Sequence, residues 1–335
     1  MKIIVDAFGG DNAPKEIIKG AIEAINEDNE IHIILCGDEI KIENELILYN
    51  YDKERLSIIN APDIITNDDI PTEAVRKKKN SSLISGFDYL NSETDAVGLV
   101  SAGSTGAVLT AAVLLLKRIR GINRPALCPV LPTVGEKSVI LMDCGANADP
   151  KPNNIAQFAI MATAYSKCVF GINNPVVGLL SNGTEDKKGN NLSKEAFDCI
   201  KSTKGINFKG NIEGRDILSG ELDVVVSDGF SGNIALKSCE GTALTMFELI
   251  KNGIMKGGLR AKLGYLLLKP VFKSIKLKMD YNNNGGAVLL GLEKIIVKSH
   301  GSSKSTSIKN SILQVKKLHC GNVVENIRNE LLQNS

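Results

Sequence analysis

Apolar residues along this chain fall into two kinds of run. Short, continuous, largely β-branched stretches end at glycine or asparagine turns: KIIVD at 2–6, IHIILCG at 31–37, RLSIINA at 55–61, DAVGLVSAG at 95–103, KSVILMDCG at 137–145, PVVGLLSNG at 175–183 and LDVVVSDG at 222–229. Unbroken apolar runs, in place of alternating ones, predict strands covered on both faces. Between them, PKEIIKGAIEAINE, GAVLTAAVLLLKRI, NIAQFAIMATAYSKCVF and IALKSCEGTALTMFELIKNG repeat their apolar positions at helical period. This alternation predicts an α/β fold of three layers (αβα), with a mostly parallel sheet between helices. No repeat, low-complexity tract or separating linker interrupts it, so residues 1–335 read as a single catalytic domain.

Composition narrows the class. With 335 residues, 43% hydrophobic and 23% charged, the chain can bury a large core without staples. Its seven cysteines are scattered and form no C-x-x-C pair, so buried thiols in a reducing compartment are expected, with no disulfide framework and no structural zinc. Asp6 and Asp11 interrupt what would be the apolar core of a signal peptide, and the longest run of small and apolar residues, Ala107 to Leu116, is half the ~20 residues a bilayer span needs. A cytoplasmic protein is therefore expected. The net charge of +2 does not suggest nucleic-acid binding, and its excess lies in one late segment.

In open α/β sheets ligands bind beyond the carboxyl ends of the strands, so the chemistry should lie in the turns. DAFGGDNAP (6–14), SAGSTGA (101–107), DCGANADPKP (143–152), SNGTEDKKG (181–189) and SDGFSGN (227–233) each pair glycine with hydroxyl, amide or carboxylate groups. Gly103, Ser104, Thr105 and Gly106 precede an apolar helix, where free amides and the dipole make a phosphate cradle; packing and capping would ask for the same residues. Neither G-x-G-x-x-G nor G-x-x-x-x-G-K-[ST] occurs, and the serines form no G-x-S-x-G elbow. Lys187 and Lys188 could neutralise phosphate or simply lie on the surface. Asp143 and Asp228 could orient amides, bind a metal or cap helices. His32 and His319 read as structural, whereas His300 follows the strand KIIVKSH in a glycine and serine turn, as a ligand group or a satisfied loop histidine.

Residues 251–279 hold eight lysines and arginines and no acid. Leu259, Leu263, Leu266 and Leu267 share a helical face flanked by Arg260, Lys262 and Lys269, and Pro270 is expected to break or kink the element. Such a segment could lie on an anionic membrane, pack on the body with a solvated basic face, or dock an acidic partner.

The loops together resemble the bacterial phosphate acyltransferase family, acyl-acyl carrier protein:phosphate acyltransferases of phospholipid synthesis. DAFGGDNAP, SAGSTGA, DCGAN, GTEDKKGN, SDGFSGNIALK and GGAVLLGLEKIIVKSHGSS stand in family order from residue 6 to 303. The chain departs from the family pattern at Phe8 (usually methionine), Ser104 and Ser181 (usually asparagine) and Asn182 (usually apolar). The resemblance implies a fold like that of isocitrate and isopropylmalate dehydrogenases and phosphotransacetylases. It also implies a homodimer at the inner face of the membrane, acyl-acyl carrier protein and inorganic phosphate as substrates, and a membrane glycerol-3-phosphate acyltransferase downstream.

The implied reaction asks the protein to hold phosphate against a thioester carbonyl and stabilise the oxyanion, without an acyl-enzyme. Gly103, Ser104, Thr105 and Gly106 are expected to hold phosphate and Lys188 to add positive charge. Asn147 and Asn233 would orient phosphate or polarise the carbonyl, and Asp228 and His300 would orient groups or move a proton. No cofactor and no metal is expected. The alternatives are a metal- and nicotinamide-dependent 2-hydroxy acid dehydrogenase of the same architecture, which needs converging carboxylates, and a membrane-bound scaffold of lipid synthesis.

Overall fold

The structure, a computed structural model, describes residues 1–279 and 285–334. Its strands are β1 (Lys2–Asp6), β2 (His32–Gly37), β3 (Leu56–Asn60), β4 (Ala96–Ser101), β5 (Ala126–Cys128), β6 (Val130–Pro132), β7 (Ser138–Met142), β8 (Val176–Leu180), β9 (Asn207–Ile212), β10 (Val224–Val226), β11 (Ala287–Leu290) and β12 (Ile295–Lys298). The helices are α1 (Lys15–Glu27), α2 (Glu39–Leu46), α3 (Pro71–Lys77), α4 (Ser82–Ser92), α5 (Thr105–Leu115), α6 (Pro152–Phe170), α7 (Asn191–Ser202), α8 (Gly229–Lys256), α9 (Gly258–Met279), α10 (Ser305–Cys320) and α11 (Val323–Leu332). Every strand and helix expected from the periodicity is present.

The expected sheet is divided in two. One has the order β3-β2-β1-β4-β12-β11-β5 and the other β6-β7-β10-β8-β9. Both are parallel except where β11 runs against β12 and β5, and where β6 runs against β7. The chain passes from the first sheet to the second at Pro129, which offers no N–H to either ladder. Its carbonyl accepts from Leu141 N–H at 3.2 Å, and Leu127 O accepts from Cys144 N–H at 3.1 Å, so the sheets meet edge to edge at this point. The elements that make the division, β5, β6 and β11, have only three or four residues, too few to carry a period.

One apolar cluster joins the sheets. Ile3 and Val5 of β1, Ile140 and Met142 of β7 and Val226 of β10 share it with Phe158 and Tyr165 of α6. Helix α6 is buried almost all round, as a helix apolar on every side must be. Separate clusters cover the outer faces, with α4 and α5 on the first sheet and Leu236 of α8 on the second.

Helix α8 is buried only at Gly229, Gly232 and Leu236. Beyond that it pairs with α9, and Leu244, Leu249, Leu259, Leu263, Leu266 and Leu267 stay exposed, as do Arg260, Lys262 and Lys269. The basic segment is therefore two elements: its first six residues end α8, and Gly258, at φ 71°, turns the chain into α9. Pro270 does not end α9. The carbonyl it leaves without a partner belongs to Leu266, on the exposed side, where water can satisfy it. No described helix is long and apolar enough to cross a membrane.

Gly98, central in β4, marks the closest approach of α10 to the first sheet. A Cβ there would lie 2.5 Å from the Ile295 carbonyl oxygen and 2.6 Å from a Val315 methyl. Gly98→Ala should lower stability by about 1–3 kcal/mol through overpacking, read as a lower urea midpoint with an unchanged slope.

Candidate functional site

Three neighbouring parallel strands end in polar side chains on one face. Ile4, Leu99 and Ile296 pack in the same outer cluster, and two residues further on each strand come Asp6, Ser101 and Lys298. Register pairs Ser101 with Lys298 and Val5 with Val100, which sets Asp6 next to Ser101. Asp6 Oδ2 accepts from Ser101 Oγ at 2.6 Å, and Oδ1 accepts from Ser82 Oγ of α4 at 2.6 Å. Burial pushes the Asp6 carboxyl up, with these hydroxyls pulling the other way.

Lys298 is 8% exposed. Burial draws its ammonium down to about 8, Asp6 and Asp11 oppose that, and Lys237 adds to it. Nζ donates to the Ser299 carbonyl. Lys298 is not among the residues expected from the sequence; its one signal there is a lysine closing the apolar run IIVK immediately before Ser299 and His300.

Beyond these strand ends lies a cavity of about 260 Å³, with Thr105, Cys144, Gly145, Asn233, Lys237, Lys298 and His300 in its wall. Thr105 opens α5, whose first turn carries amides that no carbonyl of its own helix can reach, and the Ser104 hydroxyl in the cap position makes no capping bond. The Gly103 amide is already committed, donating to Ser101 Oγ at 3.0 Å. Gly106 packs on α3, where a Cβ would lie 2.8 Å from Pro71 Cγ. Of the four residues expected to hold phosphate, Thr105 lines the cavity itself, while the others build the turn that places it.

Asn233 lies over Gly145, whose backbone is left-handed at φ 114°; a Cβ on that glycine would sit 3.6 Å from the carboxamide. His300 is held by Ser302, with Nδ1 2.8 Å from the hydroxyl and accepting the Ser302 N–H at 3.3 Å. Burial first, then Lys237, lowers its pKa below the usual 6.5. Burial, then Asp143, pushes the Cys144 thiol well above its ordinary range, so it offers no thiolate to the cavity.

The remaining expected residues take other places. Asn147 Nδ2 donates to Pro125 O at 2.8 Å and Asp143 Oδ2 at 2.9 Å, which uses both its protons to brace the loop. Asp228 caps α8 by accepting from Ser231 N–H at 2.7 Å, and it lines a separate depression beside Asn190 and Phe230. Lys188 is exposed in a turn after β8, two strand spacings from β7, and is not in the cavity wall. Of the residues expected to do chemistry, the structure brings together Thr105, Asn233 and His300, and it adds Lys298. Among the described residues no three His, Cys, Asp or Glu side chains converge as the dehydrogenase alternative requires.

Asp143 shapes the wall from behind. Fully buried, it accepts Leu127 N–H (2.9 Å) and Ala146 N–H (3.2 Å) on Oδ1, and Asn147 N–H (2.6 Å) and Nδ2 on Oδ2. Against this loop α8 begins so closely that a Cβ on Gly232 would lie 2.0 Å from the Asp143 carbonyl oxygen. That contact sets Asn233 and Lys237 into the cavity. Asp143→Asn would turn an amide NH₂ toward two of the four N–H groups whichever way it flips. The expected loss is about 3 kcal/mol, measured by chemical denaturation, with loss of any ligand binding in the cavity.

Residues 1–326 match the family described as "Fatty acid synthesis protein". The chain is 45% identical over 331 residues to a phosphate acyltransferase of Bacillus subtilis, covering 99% of this chain and 98% of that one. To a phosphate acyltransferase of Clostridium tetani it is 44% identical over 332 residues, with 99% and 98% covered. Among solved structures it superposes on a phosphotransacetylase from Streptococcus pyogenes with a TM-score of 0.62 at 19% identity, over 95% of this chain and 94% of that one, a likeness of fold. A cavity built from strand-end loops on a phosphotransacetylase-like fold, in a sequence that matches along its whole length, places this chain in the phosphate acyltransferase family of transferases.

Proposed function

We propose that this protein transfers the acyl group of an acyl-acyl carrier protein thioester to inorganic phosphate, giving acyl phosphate and free carrier thiol. The observation that carries this reading is that two elements line one cavity: the amide-rich start of α5 with Thr105, and the buried cation Lys298 with His300. The first suits an anion or a developing oxyanion, and the second adds positive charge in a site of low dielectric, where it acts strongly. Phosphate is itself a nucleophile, and the Cys144 thiol is held protonated, so the reading uses direct attack with no acyl-enzyme. Asn233, in the cavity wall, would orient the carbonyl or phosphate, whereas Lys188 and Asp228, expected to supply charge and orientation, stand outside that wall and take no part in this reading.

The reading extends to where the enzyme works. Exposed leucines and basic side chains on the α8–α9 hairpin suit the inner face of an anionic membrane, with a second copy of the chain covering part of the same apolar surface. An acidic carrier protein is drawn to the same positive field.

Purified protein given palmitoyl-acyl carrier protein and phosphate should release acyl phosphate and thiol in equal amounts, only when phosphate is present. Thr105→Ala removes one hydrogen bond to an anion, and kcat/KM for phosphate should fall about 10- to 100-fold. Release that ignores phosphate would falsify the assignment.

In flotation assays the protein should bind phosphatidylglycerol vesicles, weakly or not at all phosphatidylcholine vesicles, and less as salt rises. Replacing Leu263 and Leu267 together by Glu should abolish flotation while turnover of soluble substrate persists. Equal flotation of wild type and variant would remove the hairpin from the membrane contact.

A further inference from the structure

The transfer reaction proposed above, on which this inference rests, must move a proton as well as an acyl group. Hydrogen phosphate brings a proton that the product acyl phosphate, a weaker base, no longer holds. The departing sulfur of an alkyl thiol needs one, since such thiols have a pKa of about 8.5. A single group could take the first proton and give the second, provided its own affinity lies between them and near neutrality.

The cavity wall holds five titratable side chains: Cys144, Lys237, Glu240, Lys298 and His300. Cys144 is held too tightly protonated to exchange. Lys237 and Glu240 pair with each other at 2.7 Å, so each already has an ionic partner. His300 is drawn toward its neutral form, and Ser302 engages its Nδ1. Lys298 stands apart. It is fixed at the end of a central strand, buried, in the same cavity wall as Thr105 and hydrogen-bonded only to a neutral carbonyl among the bonds described for it.

We infer that Lys298 is the proton carrier of the transfer, giving its proton to the thiol sulfur as the carbon–sulfur bond breaks. In the first step a phosphate oxygen lone pair forms the bond to the carbonyl carbon, and the carbonyl π pair moves onto oxygen, facing the α5 amides. In the second step that pair re-forms the carbonyl and the carbon–sulfur pair leaves on sulfur. The Lys298 ammonium delivers a proton to it, the N–H pair staying on nitrogen. The neutral amine then takes the proton that hydrogen phosphate brought. Atoms and charge balance, nothing is oxidised or reduced, and Lys298 returns to its starting form. The groups that face it are Asp6 of β1 and Asp11 in the following loop, Lys237 and Glu240 of α8, and His300 at the end of its own strand. Its affinity of about 8 lies beside that of the thiol, the condition under which proton transfer is efficient in both directions.

The test compares two thioesters with phosphate: an alkyl one, the acyl carrier protein or acyl-pantetheine ester, and an aryl one, whose thiolate leaves without a proton. Lys298→Met keeps the volume and removes the charge. Lys298→Arg keeps the charge but holds its proton. Lys298→Arg, which keeps the charge, should lose at least a hundredfold in kcat on the alkyl ester and less than tenfold on the aryl ester, whereas Lys298→Met, which also loses the charge that steadies the anion, should fall on both esters and at least tenfold further on the alkyl one. Wild-type kcat/KM should fall as pH rises through about 8, because the ammonium is the active form, and that limb should vanish in both variants. Equal losses on the two esters, or activity restored by arginine, would overturn the proposal. If the methionine variant does not fold, the arginine variant and the wild-type pH profile decide it. Wild-type protein inactive on both esters with phosphate present would instead count against the transferase reading itself.

Discussion

The junction of the two sheets is organised around a buried carboxylate, that of Asp143. Asp143 accepts from Leu127, at the end of the first sheet, and from Ala146 and Asn147, in the loop that follows β7 of the second. The sheets share no ladder, so this side chain is a main polar tie across their junction, beside the backbone bonds at Leu127 and Pro129. A carboxylate can be buried only if its oxygens are satisfied, and here four N–H bonds do so. The cost of burying it and the geometry of the junction are thus one constraint: loosening the loop would leave a charge unpaired. The cavity lies at that junction, with Leu127, Leu131, Cys144 and Gly145 in its wall.

The strand ends obey a related rule on a smaller scale. Asp6 accepts from two hydroxyls and from the Phe8 N–H, whereas among the described residues Lys298 donates to one carbonyl, so the acid is well engaged and the base has donors to spare. A buried cation with donors to spare is costly, and a dianion bound beside it would offset that cost. In the proposed transfer, binding energy would then be directed to the place where negative charge resides. The row Asp6, Ser101, Lys298 makes this possible because all three stand on rigid strands, on one face, in register.

Much of this was legible in the sequence, for reasons that differ by element. Continuous apolar strands such as KIIVD and LDVVVSDG show themselves because both faces are buried, and the loops after them are rich in glycine because backbones pass close there, as Gly232 does against Asp143. The division into two sheets was hidden, since it is made by three short strands and a proline. The site was half visible. Thr105 and His300 follow from their place after a strand, but Asn147 and Asp228 sit in turns of the same composition and serve as brace and cap. Composition cannot separate these roles, because an amide that holds a loop and one that holds a ligand are the same residue in the same kind of turn. Lys298 escaped because a lysine at the end of a strand normally points to water. Only the covering by α8 and the strand-end loops, all distant in sequence, buries it.

Helix α8 connects the two halves of the molecule's work. Its 28 residues span about 42 Å. The first turns, with Gly232 pressed on the Asp143 loop, present Asn233 and Lys237 to the cavity, and the later turns carry the exposed leucines that face away from the body. The residues of α8 that are buried, Gly229, Gly232 and Leu236, all lie in its first turns. The contact there is backbone against backbone and has no side chain to yield, so the same packing that fixes the start of the helix also fixes where Asn233 and Lys237 stand in the cavity wall.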